Sequence, residues 1–458
     1  MEAFFLFNPA AIWNSWTVET NRYAAKTLAE KPSTMTWTPV IMEEIMAYVG
    51  MLIAMGVVSL PCIDDFFATE PILSHPWFPS ILSRDRFSQI NRYFHACNDL
   101  LYPGDKLGKV RTVIDEFQRN FKKYWNGHRE VSIDEQLLGT RCRIGFVQYM
   151  PKKPVRFGVK IWVLADSKQP YVMDFQIYTG KDERTPEEGL ANRVIEDLLS
   201  PLYDRGHILY TDNFYSNPLK FLDLENKGTL AVGTVRNNRI GMPDAMRHPN
   251  VNLQRGQSEF LKTGNLTAVH WKDKRDVYAL STAHGNEVSE VMPFKPHLIV
   301  DYNMHMNGVD RNDQLLSYYS MNRKTLKWWK KVFWRLIEMA LINAFLIFKF
   351  QRPDTSHKRF RLDLAYNLAQ PIVDARTIGR SLPGPGRSPA VQSDRLSGKH
   401  FPTASRKGAP RKRCKVCAFQ KTPSGRYKDT KTATLCERCN VHLCAGECFK
   451  IYHTKTKF

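Results

Sequence analysis

The chain contains no uninterrupted apolar run long enough to cross a bilayer. Ala47 to Pro61 is too short to span one. Lys331 to Phe350 is long enough, but Lys331, Arg335, Glu338 and Lys349 interrupt it at helical spacing. That pattern fits an amphipathic core helix and argues against a membrane span. The opening MEAFFLFNPAAIWNSW has neither a basic n-region nor a small-residue cleavage site, so no secretory signal is expected. No internal repeat or heptad run is present, which excludes solenoid and coiled-coil architectures. Cysteine is scarce until the last 45 residues. Cys62, Cys97 and Cys142 stand alone and read as buried thiols, which excludes a disulfide scaffold over most of the chain. Acidic residues are outnumbered, with 45 Asp/Glu against 66 Lys/Arg, a net charge of +21 and a pI of about 9.5. Such an excess points to a polyanionic partner, nucleic acid first, with simple solvation by lysine as the alternative. The 458 residues, 43% of them hydrophobic, are enough for two or three domains.

Residues 1 to 129 read as mostly helical. Apolar residues recur at helical spacing through Ile41–Gly56, Arg84–Cys97 and Val113–Trp125. Basic and aromatic residues alternate on these helices, which suits DNA contact or an ordinary helical domain equally. From 130 the period changes to that of strands, in Glu130–Leu137, Arg156–Ala165 and Tyr171–Tyr178, an antiparallel meander. Val131 and Ile133 would face the core, and Ser132 and Asp134 the other side. A helix over Glu187–Ser200, a strand over His207–Asp212, a helix over Pro218–Lys227 and a strand over Thr229–Val235 follow. The fold class is therefore α/β, a mixed sheet with helices packed on it. Residues 238–296, with strand-like Ser258–Leu261 and Val277–Ser281, read as a β-rich insertion. Asp310–Ser320 and Leu326–Phe350 return to helix, and 380–410, rich in Pro, Gly, Ser and Arg, reads as a flexible linker.

Three aspartates far apart in the chain lie in segments that could line one crevice: Asp134 in EVSIDEQLLG, Asp212 in HILYTDNFYS and Asp310 in MNGVDRNDQLL. Asp212 sits near the carboxyl end of a strand, where ligands bind in sheets of this kind. Asp310 and Asp313 share a helix face. Three convergent carboxylates are what a pair of Mg²⁺ ions needs, and two such ions are a standard device for attacking a phosphodiester. Taken singly, each aspartate would read as a turn or cap residue.

VSIDEQLLGTR, then KPVRFGVKIWVLADS, YTDNFYSNPL and DYNMHMNGVDRNDQLLSYYSMNRKTLKWWKK, and a tail ending CFKIYHT, occur in an order that resembles the piggyBac family of DNA transposases over nearly the whole chain. The resemblance implies a ribonuclease-H-like catalytic domain in two parts (130–237 and 297–320) around the insertion. It also implies a helical dimerisation and DNA-binding domain split between 1–129 and 321–379. By the same resemblance Asp134, Asp212 and Asp310 fall on a catalytic, metal-binding triad, and Asp313 on a further acidic position. Trp328 resembles a tryptophan close to that site, or packs in the core. Implied too are cutting at transposon ends through a hairpin, insertion at TTAA, a homodimer, double-stranded DNA as partner and a nuclear location. Members of the family carry a long acidic region before the helical domain, and the chain as given starts at that domain's first helix. All four carboxylates are present, which favours a competent enzyme over a domesticated, inactive DNA- or chromatin-binding protein on the same scaffold. Lys152, Lys153, Arg156, Arg236, Arg239, Arg323 and Lys324 are candidates for phosphate contact, or are solvated surface charges.

Residues 411–458 carry Cys414-x2-Cys417 and Cys436-x2-Cys439, followed by Cys444, Cys448 and His453, with His442 the weakest candidate. Thiolate pairs of this kind are half-sites of structural Zn²⁺. Two interleaved ions, or one ribbon-type ion with spare cysteines, both satisfy the spacing. From residue 401 onward fourteen Lys/Arg face three Asp/Glu, a net of +11. A basic zinc module carrying Arg411, Lys412 and Arg413 suits DNA better than a RING- or PHD-like protein reader. RKGAPRKRCK could also serve as a nuclear localisation signal.

Overall fold

Alternation in EVSIDEQLLG and a β-branched and aromatic run in FGVKIWVLAD make these two ten-residue stretches the longest strands among the described residues. The computed structural model describes residues 1–458 apart from 1, 32–36, 152, 154, 181–188, 249–251, 292–293, 380–399, 405–409, 421, 424 and 456–458. Nine strands form one mixed sheet: β1 (Glu130–Gly139), β2 (Val147–Tyr149), β3 (Phe157–Asp166), β4 (Val172–Ile177), β5 (Ile208–Thr211), β6 (Leu230–Thr234), β7 (Ser258–Thr263), β8 (Leu266–Lys272) and β9 (Asp276–Ser281). Their order is β2-β3-β1-β5-β6-β9-β8-β7, with β4 also paired to β3. The expected meander is there, β1 and β4 each antiparallel to β3. β1, β5 and β6 run parallel.

The segment 238–296, expected as a β-rich insertion, extends this sheet. Val232, Gly233 and Thr234 of β6 pair with Ser281, Leu280 and Ala279 of β9. β8, buried along nearly its whole length and so without an alternating signal, pairs antiparallel with both β7 and β9.

The helices are α1 (Glu2–Phe7), α2 (Ala10–Glu30), α3 (Met42–Val57), α4 (Trp77–Ile81), α5 (Arg84–Tyr93), α6 (Arg111–Lys123), α7 (Leu190–Leu199), α8 (Pro218–Asn226), α9 (Asp244–Arg247), α10 (His297–His305), α11 (Gly308–Tyr318), α12 (Trp328–Gln351), α13 (His357–Gly379) and α14 (Glu447–Thr454). Contacts divide the chain into two compact units, Met1–Ile63 with Ile81–Val373, and Asp64–Ser80 with Asp374–Phe458. In the first unit α12 is the central element. Expected as amphipathic, it is buried over most of its length, and its buried polar side chains Asn343, Glu338 and Lys330 are each paired. Asn343 Nδ2 donates to Val172 O and its Oδ1 accepts from Val172 N, both at 2.9 Å. Glu338 accepts from the Met321 and Asn322 nitrogens, and Lys330 donates to Asn91 O. Pairing of this kind is what makes burial of polar groups tolerable. Among the described residues no helix is long and apolar enough to cross a membrane.

Both faces of β1 are covered. Ser132, expected on the side opposite Val131 and Ile133, is also buried, because α11 lies over it. Gly308 makes that approach possible: a Cβ there would stand 2.5 Å from Ser132 Oγ and 2.9 Å from Asp166 O.

Candidate functional site

The parallel register of β1 and β5 sets Ile133 opposite Thr211. The next residue on each strand is an aspartate, so Asp134 and Asp212 come out side by side. Asp134 remains in the ladder, opposite Val163 of β3. Asp212 leaves β5 in a tight turn that its own side chain closes, Oδ1 accepting from Phe214 N at 2.9 Å. Ser216 Oγ donates to Asp212 O at 2.9 Å and lies 2.9 Å from Thr211 Oγ1. Gly233 of β6 underlies this turn, where a Cβ would stand 2.2 Å from Ser216 Oγ. Arg239, expected as a phosphate contact, instead ties down the turn, donating to the carbonyls of Asn213 and Phe214.

Asp310 lies in the first turn of α11, exposed, where a helix N-terminus favours negative charge. The helix is docked by Gln136 Nε2 to Asn312 Oδ1 at 3.1 Å, Asn312 Nδ2 to Pro170 O at 2.8 Å, and Arg311 to Ser167 O at 3.1 Å. Asp313, one turn on, is engaged by Arg335 at 3.2 Å.

Tyr302 of α10 ties the three aspartates together. Burial first, and then the charges of Asp212, Asp134 and Asp310, push its hydroxyl up to about 12, against an opposing hydrogen bond with Thr234. All three carboxylates thus lie within electrostatic reach of one phenol. They are not a closed ligand cluster: among the described residues, the sets of three or more ligand atoms all within 4.8 Å of one another are two Cys/His sets in the tail. Burial, then the neighbouring Glu135 charge, pushes Asp134 up to about 8. Burial also raises Asp212, again with Glu135 adding to it. Among the described residues Asp134, Asp212 and Asp310 have no ion-pair partner. Two half-buried carboxylates with raised affinity for a proton, Asp134 and Asp212, and the exposed Asp310, none with a counter-cation, are the kind of donor set a divalent metal such as Mg²⁺ fits.

Tyr302 and Glu135 were not picked out from the sequence. Glu135 stands beside Asp134 in SIDEQ, a signal that was available. Tyr302 lies eight residues before Asp310, a spacing with no helical meaning across the break at Asn307, so nothing marked it.

In the second unit the donors gather into two sets: Cys414, Cys417, Cys444 and Cys448, and His400, Cys436, Cys439 and His453. The pairs interleave along the chain, the first and last pairs sharing one set. Cys417 Sγ lies 3.9 Å from Cys444 Sγ and 3.6 Å from Cys448 Sγ. His400 Nδ1 lies 3.4 Å from Cys436 Sγ and 3.3 Å from Cys439 Sγ, and His453 Nε2 lies 3.6 Å from Cys439 Sγ. A tetrahedron with Zn–S bonds of about 2.3 Å has edges of about 3.8 Å, so the sulfurs stand at zinc-ligand spacing. One S4 and one S2N2 set fit Zn²⁺. His400 is a correction to the expected linker over 380–410, most of which lies outside the described residues. It is the fourth donor of its set, and His442 belongs to neither set.

The family model for transposase IS4 matches residues 1–345. The chain belongs to the transposase IS4 family. A second model, the DDE_Tnp_1-like zinc finger, matches residues 395–454, the span that holds both Cys/His sets. Among curated proteins, piggyBac transposable element-derived protein 2 of Homo sapiens is 27% identical over 405 residues, 82% of this chain and 66% of that protein. PiggyBac transposable element-derived protein 3 of Homo sapiens is 26% identical over 437 residues, 90% of this chain and 70% of that protein. The fold matches a cryo-EM structure of the piggyBac transposase synaptic complex with hairpin DNA at a TM-score of 0.76 and 25% identity, covering 97% of this chain and 96% of that one. The piggyBac resemblance read from the motifs is thus borne out.

Within this transposase-family chain the expected DNA contacts are placed unevenly. Lys152 lies outside the described residues. Lys153 Nζ reaches Glu135 O at 3.5 Å, beside the aspartates. Arg156 and Lys324 are exposed. Arg323 is tied to the backbone instead, donating to Leu60 O at 2.8 Å and Met55 O at 2.7 Å. Trp328 is half-buried with its ring edge-on to Phe146 at 5.3 Å. Arg411, Lys412 and Arg413 are exposed, Arg413 paired to Asp429 at 3.0 Å.

Proposed function

We propose that this chain is a DNA transposase of the DDE type, cutting and joining transposon ends with Asp134, Asp212 and Asp310 in a ribonuclease-H-like site. The observation that carries the reading is the parallel register of β1 and β5, Ile133 opposite Thr211, which brings Asp134 and Asp212 out side by side. Asp134 and Asp212 hold their positions from adjacent parallel strands, and α11 brings Asp310 across to them. Magnesium held by these groups would activate the attacking water or 3′-hydroxyl and stabilise the leaving oxygen in an in-line displacement. Asp134, Asp212 and Asp310 would hold the metal, with Asp134 deprotonated. Arg239 fixes the turn of Asp212, and Lys153 lies beside the aspartates, where it would meet a phosphate of the strand being cut. Double-stranded DNA, TTAA as target, a homodimeric assembly and a nuclear location belong to the same proposal. The structural relative's capture as a synaptic complex with hairpin DNA supports the DNA partner, and the exposed basic zinc-finger module supports a second grip on the ends.

The test is Mg²⁺-dependent cleavage of a duplex carrying terminal repeats flanked by TTAA. Wild type should cut, and Asp212→Ala should not. The second reading, a DNA- or chromatin-binding protein on a transposase scaffold, draws on the three carboxylates not closing within 4.8 Å. It is supported if wild type binds this DNA yet cuts it no faster than Asp212→Ala.

A further inference from the structure

A groove of about 980 Å³ opens along the end of β1, and neither the aspartates nor the zinc sets line it. Its walls include Arg141, Arg156, Lys331, Tyr149, Val155 and Phe157. Tyr149 and Phe157 form a cross-strand pair between β2 and β3, with ring centroids 4.9 Å apart. Both rings stay open to solvent, 56% and 42% exposed. The Arg141 guanidinium lies over the Phe157 ring at 6.0 Å. Among the described residues no carboxylate pairs with Arg141, Arg156 or Lys331.

We propose that this groove binds a short stretch of single-stranded DNA, its bases stacked on Tyr149 and Phe157 and its phosphates against Arg141, Arg156 and Lys331. Three cations without counter-charge favour a polyanion over an apolar peptide. The exposed ring faces decide the strand state. Bases of a duplex are stacked on one another and offer edges, whereas an unpaired base offers a face that an aromatic ring can cover. A basic groove with adjacent aromatic platforms is the general arrangement for binding single strands without sequence preference. Gly139, on the groove wall, lies five residues along β1 from Asp134, about 17 Å at the strand rise. A strand freed at the aspartates could therefore enter it, although the groove's binding does not depend on their cutting.

The experiment uses the full chain with no added divalent ion, so that cleavage plays no part. Its probes are a fluorescein-labelled 12-nucleotide oligothymidine and a 12-base-pair duplex, followed by anisotropy. Tyr149→Ala/Phe157→Ala should weaken the single strand about tenfold or more and the duplex by less than about twofold. Tyr149→Phe/Phe157→Tyr should bind both like wild type. Equal losses on both probes, or no loss on the single strand, overturn the proposal. Should the alanine variant fold poorly, wild type is photocrosslinked to the same oligomer carrying 5-iododeoxyuridine. Adducts on Tyr149 or Phe157 support the groove, and adducts confined elsewhere overturn it.

Discussion

Replacing Gly308 by alanine adds one methyl group at the point where α11 rests on β1. The new Cβ would stand 2.5 Å from Ser132 Oγ, 2.9 Å from Asp166 O and 3.2 Å from Ser167 Cα. Ordinary contact needs close to a further ångström, so something must move. The backbone of Asp166 is poorly placed to do so. Its carboxylate accepts from Trp125 Nε1, His128 N, His128 Nδ1, Lys168 N and Gln169 N at 2.7–3.0 Å. The helix therefore moves, and Asp310 moves with it. Overpacking of this kind costs ~1–3 kcal/mol. The helix-propensity gain of alanine over glycine, up to ~1 kcal/mol in a helix interior, offsets little at the first helical position. A net loss of ~1–2 kcal/mol should lower the denaturation midpoint of the first unit, followed by tryptophan fluorescence in urea. A displacement of ~1 Å at a metal-holding carboxylate can cost about a hundredfold in rate, so Mn²⁺ affinity and cleavage should fall further than stability does. Ser132→Ala in the same chain removes the nearest clash but leaves the carbonyl, and should rescue partially. A Gly308→Ala protein as stable as wild type, with unchanged Mn²⁺ affinity, refutes the docking argument.

With Asp134 pushed up to about 8 by burial and Glu135, metal binding must displace a proton below that pH. Mn²⁺ affinity by calorimetry should rise by up to about tenfold per unit from pH 6 to 8 and level off above. A flat profile would count against a protonated Asp134. For the metal-free protein the folded carboxyl titrates above the unfolded one. Its stabilising contribution is then full below about pH 4 and lost as the pH rises through about 8, so metal should stabilise most at alkaline pH. The tail should hold two zinc ions per chain by elemental analysis, and His400→Ala should leave about one; an unchanged count removes His400 as a ligand. Arg323→Ala loses two backbone hydrogen bonds and should cost ~1–3 kcal/mol of stability while the folded protein keeps its DNA affinity. Intact stability with weakened DNA binding would return Arg323 to the phosphate contacts.

Much of the sheet was legible because strands such as β1 carry a period-2 signal. The strands that hold Asp134 and Asp212 could be read from the sequence, but their side-by-side placement comes from the parallel register of β1 and β5, which no local pattern shows. Asp310 could be read from its motif, but what brings it across is Gly308, whose role depends on contacts with Ser132 and Asp166 more than a hundred residues away. β8 and α10 were missed between turn signals, and with α10 went Tyr302. Arg239 and Arg323 read as phosphate contacts or surface charges because a sequence shows a guanidinium but not the carbonyls it reaches. The zinc cysteines were plain from spacing. His400 was not, because thirteen residues of Pro/Gly/Lys/Arg-rich chain separate it from Cys414 and its partners lie further on still.

The most direct measurement is a Mn²⁺ titration followed by electron paramagnetic resonance on the zinc-loaded protein, for wild type and for Asp134→Asn, Asp212→Asn and Asp310→Asn. It needs no cognate DNA. The account predicts Mn²⁺ sites in wild type that each single substitution weakens at least tenfold, with the zinc content unchanged. Variants that bind Mn²⁺ as tightly as wild type would show that these three aspartates do not form a metal site.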